Sequence, residues 1–220
     1  MVISPILINT WGGYVLIPNC GIELIGHERE MLMITICNYT ESDAEEVGRL
    51  IADTYSEFNL SFASPEDRNL MLGPFRHAWS SDASHQKAIV EILRSQMFYV
   101  AVNKGEIAGI LRGRKERLAS LFVRKDFHHQ GIGRKLVEHF ESESIKQGNS
   151  VIRLAATVYA IPFYLKLGYK KSSGLRNGWS FEGHGFTYQP MKKQFVDEQS
   201  HTKGINRNLY DKERGKNDIH

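Results

Sequence analysis

The sequence predicts one α/β domain, a mixed twisted sheet flanked by helices, in the order β-α-α-β-β-β-α-β-α-β-β. Three observations carry this expectation. Short apolar or alternating runs recur with helix-period segments between them, a pattern that buries a sheet under helices. One apolar run, Leu118-Ala119-Ser120-Leu121-Phe122-Val123, passes through a glycine-bearing turn into a long amphipathic helix. Tight punctuation at Lys104-Gly105, Gly148-Asn149 and Gly168 separates the segments.

Taken in order, residues 1–32 hold apolar pieces broken at Gly12-Gly13 that join nothing obvious, and they read as an N-terminal appendage of uncertain order. The domain proper is expected over 33–193. Ile34 to Tyr39 alternates as a strand, and Thr40 with Asp43 forms an acidic capping box for a helix reaching Phe58, with Val47, Ile51 and Tyr55 on its inner face. Asn59 to Pro74 reads as a loop with a short helix. Ser81 to Ser95 is a second helix burying Ala88, Ile89, Ile92 and Leu93. Met97 to Asn103 and Glu106 to Gly113 are strands joined by the Lys104-Gly105 hairpin turn. After the Leu118 strand, Ile132, Leu136, Val137, Phe140 and Ile145 mark the buried face of a helix, with Arg134 and Glu138 paired on its wet side. Val151 to Ala156 is a strand and Thr157 to Leu167 a short helix with Pro162 in its first turn. Residues 170–183 form a twisted arm, and Gly185 to Lys192 closes the sheet. The mixed-charge stretch 194–220 has few apolar anchors and reads as a disordered tail.

Composition narrows the function. The 220 residues are 41% hydrophobic and 24% charged, ordinary for a globular protein, and a formal net charge of +3 is too small to argue for nucleic acid. No apolar run reaches transmembrane length, and the start lacks the basic leader of a signal peptide, so no membrane role is expected. Two cysteines, Cys20 and Cys37, make no disulfide framework; Cys37 reads as a small buried hydrophobe, and the expected setting is cytoplasmic.

The strand–turn–helix unit is where chemistry first shows. Unpaired backbone N–H groups and the positive end of a helix dipole converge at Gln130-Gly131-Ile132-Gly133, a place suited to phosphate, and the glycines admit a bulky group close to the main chain. The loop is neither a P-loop nor a full dinucleotide fingerprint. Alone, it is equally a tight structural turn or the cradle of a nucleotide.

A second segment decides between them. His128-His129-Gln130-Gly131-Ile132-Gly133 resembles the cofactor loop of the GNAT superfamily of N-acetyltransferases, whose pattern is Gln or Arg, two variable residues, Gly, one variable residue, then Gly or Ala. His128 departs from the usual Gln or Arg. Thr157-Val158-Tyr159-Ala160-Ile161-Pro162-Phe163-Tyr164-Leu165-Lys166-Leu167-Gly168-Tyr169 is similar to the family's second stretch, with Thr157 where Asn is usual, and Gln189-Pro190-Met191 looks like a family ending.

The resemblance implies an enzyme that moves the acetyl group of acetyl-CoA, its co-substrate, directly to an amine, with no metal and no covalent intermediate. It implies that the pantetheine arm lies along Leu121, Phe122 and Val123. The pyrophosphate would rest on the loop His128, His129, Gln130, Gly131, Ile132, Gly133 and Arg134. Thr157 would contribute at the end of the neighbouring strand, which must splay away to open a cleft. Arg124, Lys125, Arg134 and Lys135 offer a basic rim. Tyr164 occupies the position of the proton donor to the departing thiolate. Strand parity places Arg117, Ala119 and Leu121 on one face, so Arg117 stands where a carboxylate base would be wanted. Glu116 faces away unless a bulge intervenes, and Glu57, Glu182 and His184 approach only from the acceptor side; the base stays unassigned. The acceptor, a small-molecule or peptide amine, is set by Tyr55 to Phe75 and the 170–185 arm, and a homodimer is left open. A CoA-binding sensor that has lost turnover is the alternative.

Overall fold

A computed structural model describes residues 32–195 throughout and, before them, only the strands β1 (Ile6–Ile8), β2 (Tyr14–Leu16) and β3 (Gly21–Ile25). The remainder of the 1–32 appendage and the tail from 196 onward lie outside the described residues. The pieces that organise the site are β4 (Leu32–Asn38), α1 (Ala44–Thr54), α2 (Pro65–Leu72), α3 (Ala83–Leu93), β5 (Met97–Asn103), β6 (Glu106–Arg114) and β7 (Arg117–Val123). They are followed by α4 (Ile132–Lys146), β8 (Val151–Thr157), α5 (Ile161–Lys166), β9 (Lys170–Lys171), β10 (Arg176–Ser180) and β11 (Gly183–Gln194). The main sheet runs β10-β11-β8-β7-β6-β5-β4-β3, with β9 beside β11. β3 pairs antiparallel with β4, so part of the expected appendage is an edge strand of the sheet.

Residue alternation explains the layering. Along β5, Met97, Tyr99 and Ala101 enter one core with α4 and α5, while Phe98 and Val100 enter another with α1, α2 and α3. Both faces are therefore covered. α4 seals its face with Ile132, Leu136, Val137 and Phe140, each almost fully buried. Ile145, expected in that stripe, is exposed; Ser144 takes the inward position and donates a hydrogen bond to the Lys115 carbonyl. On α3, Ile89 and Leu93 are buried but Ala88 faces solvent, because the helix is held by one narrow stripe.

The turns follow their chemistry. Thr40 donates its backbone N–H to the Asp43 carboxylate at 2.8 Å, leading the chain into α1. The Lys104-Gly105 hairpin has positive φ at both residues, the two-residue turn that matches strand twist. Ser64 caps α2 by accepting from Asp67 N–H at 3.1 Å, with Pro65 behind it. Cys37 is half-buried and disulfide-bonded, which corrects its reading as a small buried hydrophobe.

Two irregularities position the site. At its end α1 widens into one π turn, Tyr55–Asn59, closed by Leu60 N–H donating to the Tyr55 carbonyl at 3.0 Å. β7 is bulged against β6: Arg112 faces Ser120 and Gly113 faces Leu118, leaving Ala119 as the extra residue. That bulge overturns the parity argument, since Leu118 and Leu121 now face the same core and Arg117 and Leu121 opposite sides.

Candidate active site

β7 and β8 are parallel neighbours that pair only at Arg117 with Arg153, where Arg153 N–H donates to the Glu116 carbonyl at 2.8 Å. Beyond that point they diverge. The gap leaves one edge of β7, along Leu121 and Phe122, with no strand partner among the described residues. It opens two adjoining cavities.

The first is a cleft of about 570 Å³ between the end of β7, the loop into α4, and α5. Leu121, Phe122, Val123, His128, His129, Gly131, Ile132, Gly133, Arg134 and Tyr164 all line it. The loop reaches this shape through positive φ at His129 (61°) and Gly131 (82°). Gly131 precedes α4 directly, and no side chain caps the helix, so its first N–H groups point into the cleft. A Cβ at Gly133 would meet the Phe163 ring at 3.4 Å, an ordinary packing distance, so the helix start lies close against α5.

Three expected contributors are arranged differently. Gln130 does not line the cleft; its side-chain amide donates to the Asp126 carbonyl at 2.8 Å and so braces the loop from behind. Thr157 lines the second cavity instead, where its hydroxyl accepts from Asn59 Nδ2 at 3.0 Å. His128 lines the cleft, but its Nε2 lies 2.8 Å from the Val123 carbonyl and its ring 4.7 Å from that of Phe58, so the side chain ties the loop to the strand. The basic rim is also thinner than expected. Arg124 pairs with Glu106 at 3.1 Å and Asp126 at 2.7 Å, and Lys125 pairs with Glu57. Arg134 is held only loosely by Glu138 at 3.6 Å and remains on the cleft.

The second cavity, about 260 Å³, passes through the splay to the opposite face of the sheet. It shares Asn59, Leu121, Phe122, Ala160 and Tyr164 with the first. Tyr164 is 6% exposed, and its ring meets Phe163 and Tyr169 edge to face at 5.1 and 5.6 Å. Burial pushes its phenol far above the ordinary tyrosine range, and no described side chain hydrogen-bonds it. A phenol so placed keeps its proton and has its hydroxyl to give.

Tyr55, freed inward by the π turn, shares a 2.5 Å hydrogen bond with Ser180, which itself donates to the Met71 carbonyl at 2.8 Å. Burial raises the Tyr55 phenol as well. Phe75, Phe181 and Phe186 complete the wall. None of the candidate bases lines this cavity. Glu57 is paired with Lys125, Glu182 lies 3.5 Å from Arg76, the His184 ring sits tilted against Trp179 at 3.9 Å, and Glu116 is bound to Arg153 at 2.9 Å. Asn59 falls in the expected acceptor stretch Tyr55 to Phe75 without being singled out, whereas Arg112 lies outside both expected stretches, although it is a lone charge within the apolar strand Ile107–Gly113.

Known proteins place this geometry. The sequence profile of the acetyltransferase (GNAT) domain matches residues 52–195. No curated protein matches the chain. Among solved structures, it is similar to a GCN5-related N-acetyltransferase from Rhodopseudomonas palustris, with TM-score 0.60 and 17% identity over 80% of this chain and 100% of that one. It is also similar to the PaiA N-acetyltransferase of Thermoplasma acidophilum in complex with coenzyme A, with TM-score 0.57 and 21% identity over 74% and 99% of the two chains. At these identities the likeness is one of fold.

Proposed function

The chain belongs to the GNAT acetyltransferase family, and from that premise we propose that it transfers the acetyl group of acetyl-CoA to the nitrogen of an amine. The observation that carries this reading is the meeting of two cavities at one buried, protonated tyrosine: a backbone-lined cleft on one side of Tyr164 and an aromatic chamber on the other.

The residues present suit CoA. The uncapped start of α4, with Gly131 in the left-handed region, offers N–H groups to a pyrophosphate, and Arg134 adds positive charge. The unpaired edge of β7 at Leu121 and Phe122 can take the amide groups of an extended arm as an added strand would. When bound, acetyl-CoA supplies an acetyl group activated as a thioester. Tyr164 then holds a proton beside the sulfur and gives it to the leaving thiolate, a role its raised pKa suits, because the phenol is protonated throughout the neutral range.

The acceptor chamber holds no carboxylate and no histidine among its lining residues. An ammonium ion has no lone pair for attack, so the amine loses its proton to water before it enters, and the aromatic walls favour the neutral form. The test is an amine panel read by released thiol, with the acetylated product identified by mass. Thiol release matched by N-acetyl product supports the proposal. No consumption of acetyl-CoA with any amine, while CoA still raises Tm, would instead make the chain a CoA-binding sensor.

A further inference from the structure

The acceptor chamber is lined by one charged side chain, and no described carboxylate pairs with it. Arg112 sits on β6 in a row that crosses the sheet from Phe98 on β5 to Ser120 on β7, facing α1 and α3. Its Nε donates to Ser120 Oγ at 3.3 Å and one terminal nitrogen, Nη1, donates to the Ile92 carbonyl. Both acceptors are neutral. Nη2 has no acceptor among the described residues, and Arg112 is one of the residues that line the chamber. Other cations near the site are paired with acids: Arg124 with Glu106 and Asp126, Arg153 with Glu116, Lys193 with Glu141 at 2.7 Å. Burial works against the charge on Arg112 and lowers its pKa, and the nearby Tyr39 phenol offsets that only in part.

Taking the acetyl-transfer reading as its basis, we infer that Arg112 is a specificity-determining residue that receives the carboxylate of a small amine acceptor, an amino acid in the broad chemical sense. A guanidinium with free donors matches a carboxylate in shape and charge. The chamber also sets the size: about 260 Å³ is the volume of roughly nine water molecules, enough for an amino acid and too little for a folded chain end. Phe75, Phe181 and Phe186 suit an apolar substituent beside the carboxylate. The missing acids argue in the same direction, since a polyamine or basic peptide would bring cations to a chamber whose one charge is positive.

The experiment compares leucine and phenylalanine with leucinamide and phenylalaninamide, and with spermidine, by thiol release from acetyl-CoA. The free acids are expected to exceed their amides in kcat/KM by about tenfold to a hundredfold. The amides carry the less basic amines, so protonation works against the expected order. In Arg112→Gln the preference is expected to collapse toward one, whereas the rise in Tm on adding CoA persists, showing a folded donor cleft. Equal use of acids and amides, preference for spermidine, or an unchanged ratio in Arg112→Gln would overturn the inference and leave acetyl transfer standing. No thiol release with any amine, with CoA protection intact, would overturn both together.

Discussion

The proposed donor cleft and acceptor chamber adjoin at Tyr164, yet they are built on different principles. Half of the residues that line the cleft come from one continuous stretch, the end of β7 through the first turn of α4, and the groups proposed to work there are main-chain N–H and C=O groups. The chamber is assembled from the π turn after α1, from β6, β7 and β8, and from the β10–β11 arm, and its working groups are side chains. The difference separates two duties. A backbone cradle tolerates change in most of the side chains around it, so His128 can stand in for Gln or Arg and be used to brace Val123. A side-chain chamber changes its ligand with each substitution.

The largest effect expected from breaking this division is at the residue both sides share. Tyr164→Phe removes the proposed proton donor and leaves the ring packing, so kcat should fall by roughly 10²- to 10⁴-fold with CoA affinity kept, as steady-state thiol release and calorimetric titration would show. On the donor side alone, Gly131→Val forces a branched residue into the left-handed region. At about 1–2 kcal/mol of backbone strain, CoA affinity should weaken by about tenfold, and an acceptor bound without CoA should be unaffected.

The pH profile sharpens the same contrast. Tyr164 is raised above the ordinary phenol value, so its donor form is complete below about pH 10 and is lost only as pH climbs through the raised pKa. No chamber residue is a carboxylate or histidine. The profile of kcat/KM should therefore rise with the pKa of whichever amine is offered and show no descending limb below about pH 10. A limb that stays at one pH for amines of different basicity would mean that a protein base takes the proton.

The smallest effect lies where the two regions are tied. Asn59 donates to Thr157 at 3.0 Å, joining the π turn to the end of β8. Thr157→Val deletes that acceptor at a cost of about 1 kcal/mol, so Tm should drop by roughly 2–4 °C with kcat reduced only a few-fold.

The same division explains what could be read from the residues in order. The Leu118 strand, the Gly131 turn and the Ile132 helix were legible because period, glycine and helix start lie side by side. Tyr164 was legible because a second segment at the right spacing supported the first. The base position was misread for a physical reason: a bulge at Ala119 adds one residue and reverses every later side chain on β7, and alternation alone carries no mark of it. Arg124 and Lys125 look like phosphate contacts in the sequence because their partners, Glu106 and Glu57, come from elements far along the chain. The chamber was legible only as stretches: Tyr55, Phe75 and Ser180 fall in the two expected acceptor segments, but which side chains face inward emerges only when four segments pack. Arg112 lay outside both segments and was missed, although a charge inside an apolar strand asks for a reason.

Whether the two cavities join at Tyr164 can be read from a bisubstrate compound. CoA linked from its sulfur through an acetyl bridge to the nitrogen of the best acceptor would occupy cleft and chamber together. This conjugate should bind at least about a hundredfold more tightly than CoA, because the second contact becomes intramolecular, and Tyr164→Phe should leave most of the gain. A conjugate that binds no better than CoA would mean that the chamber is not where the acceptor waits.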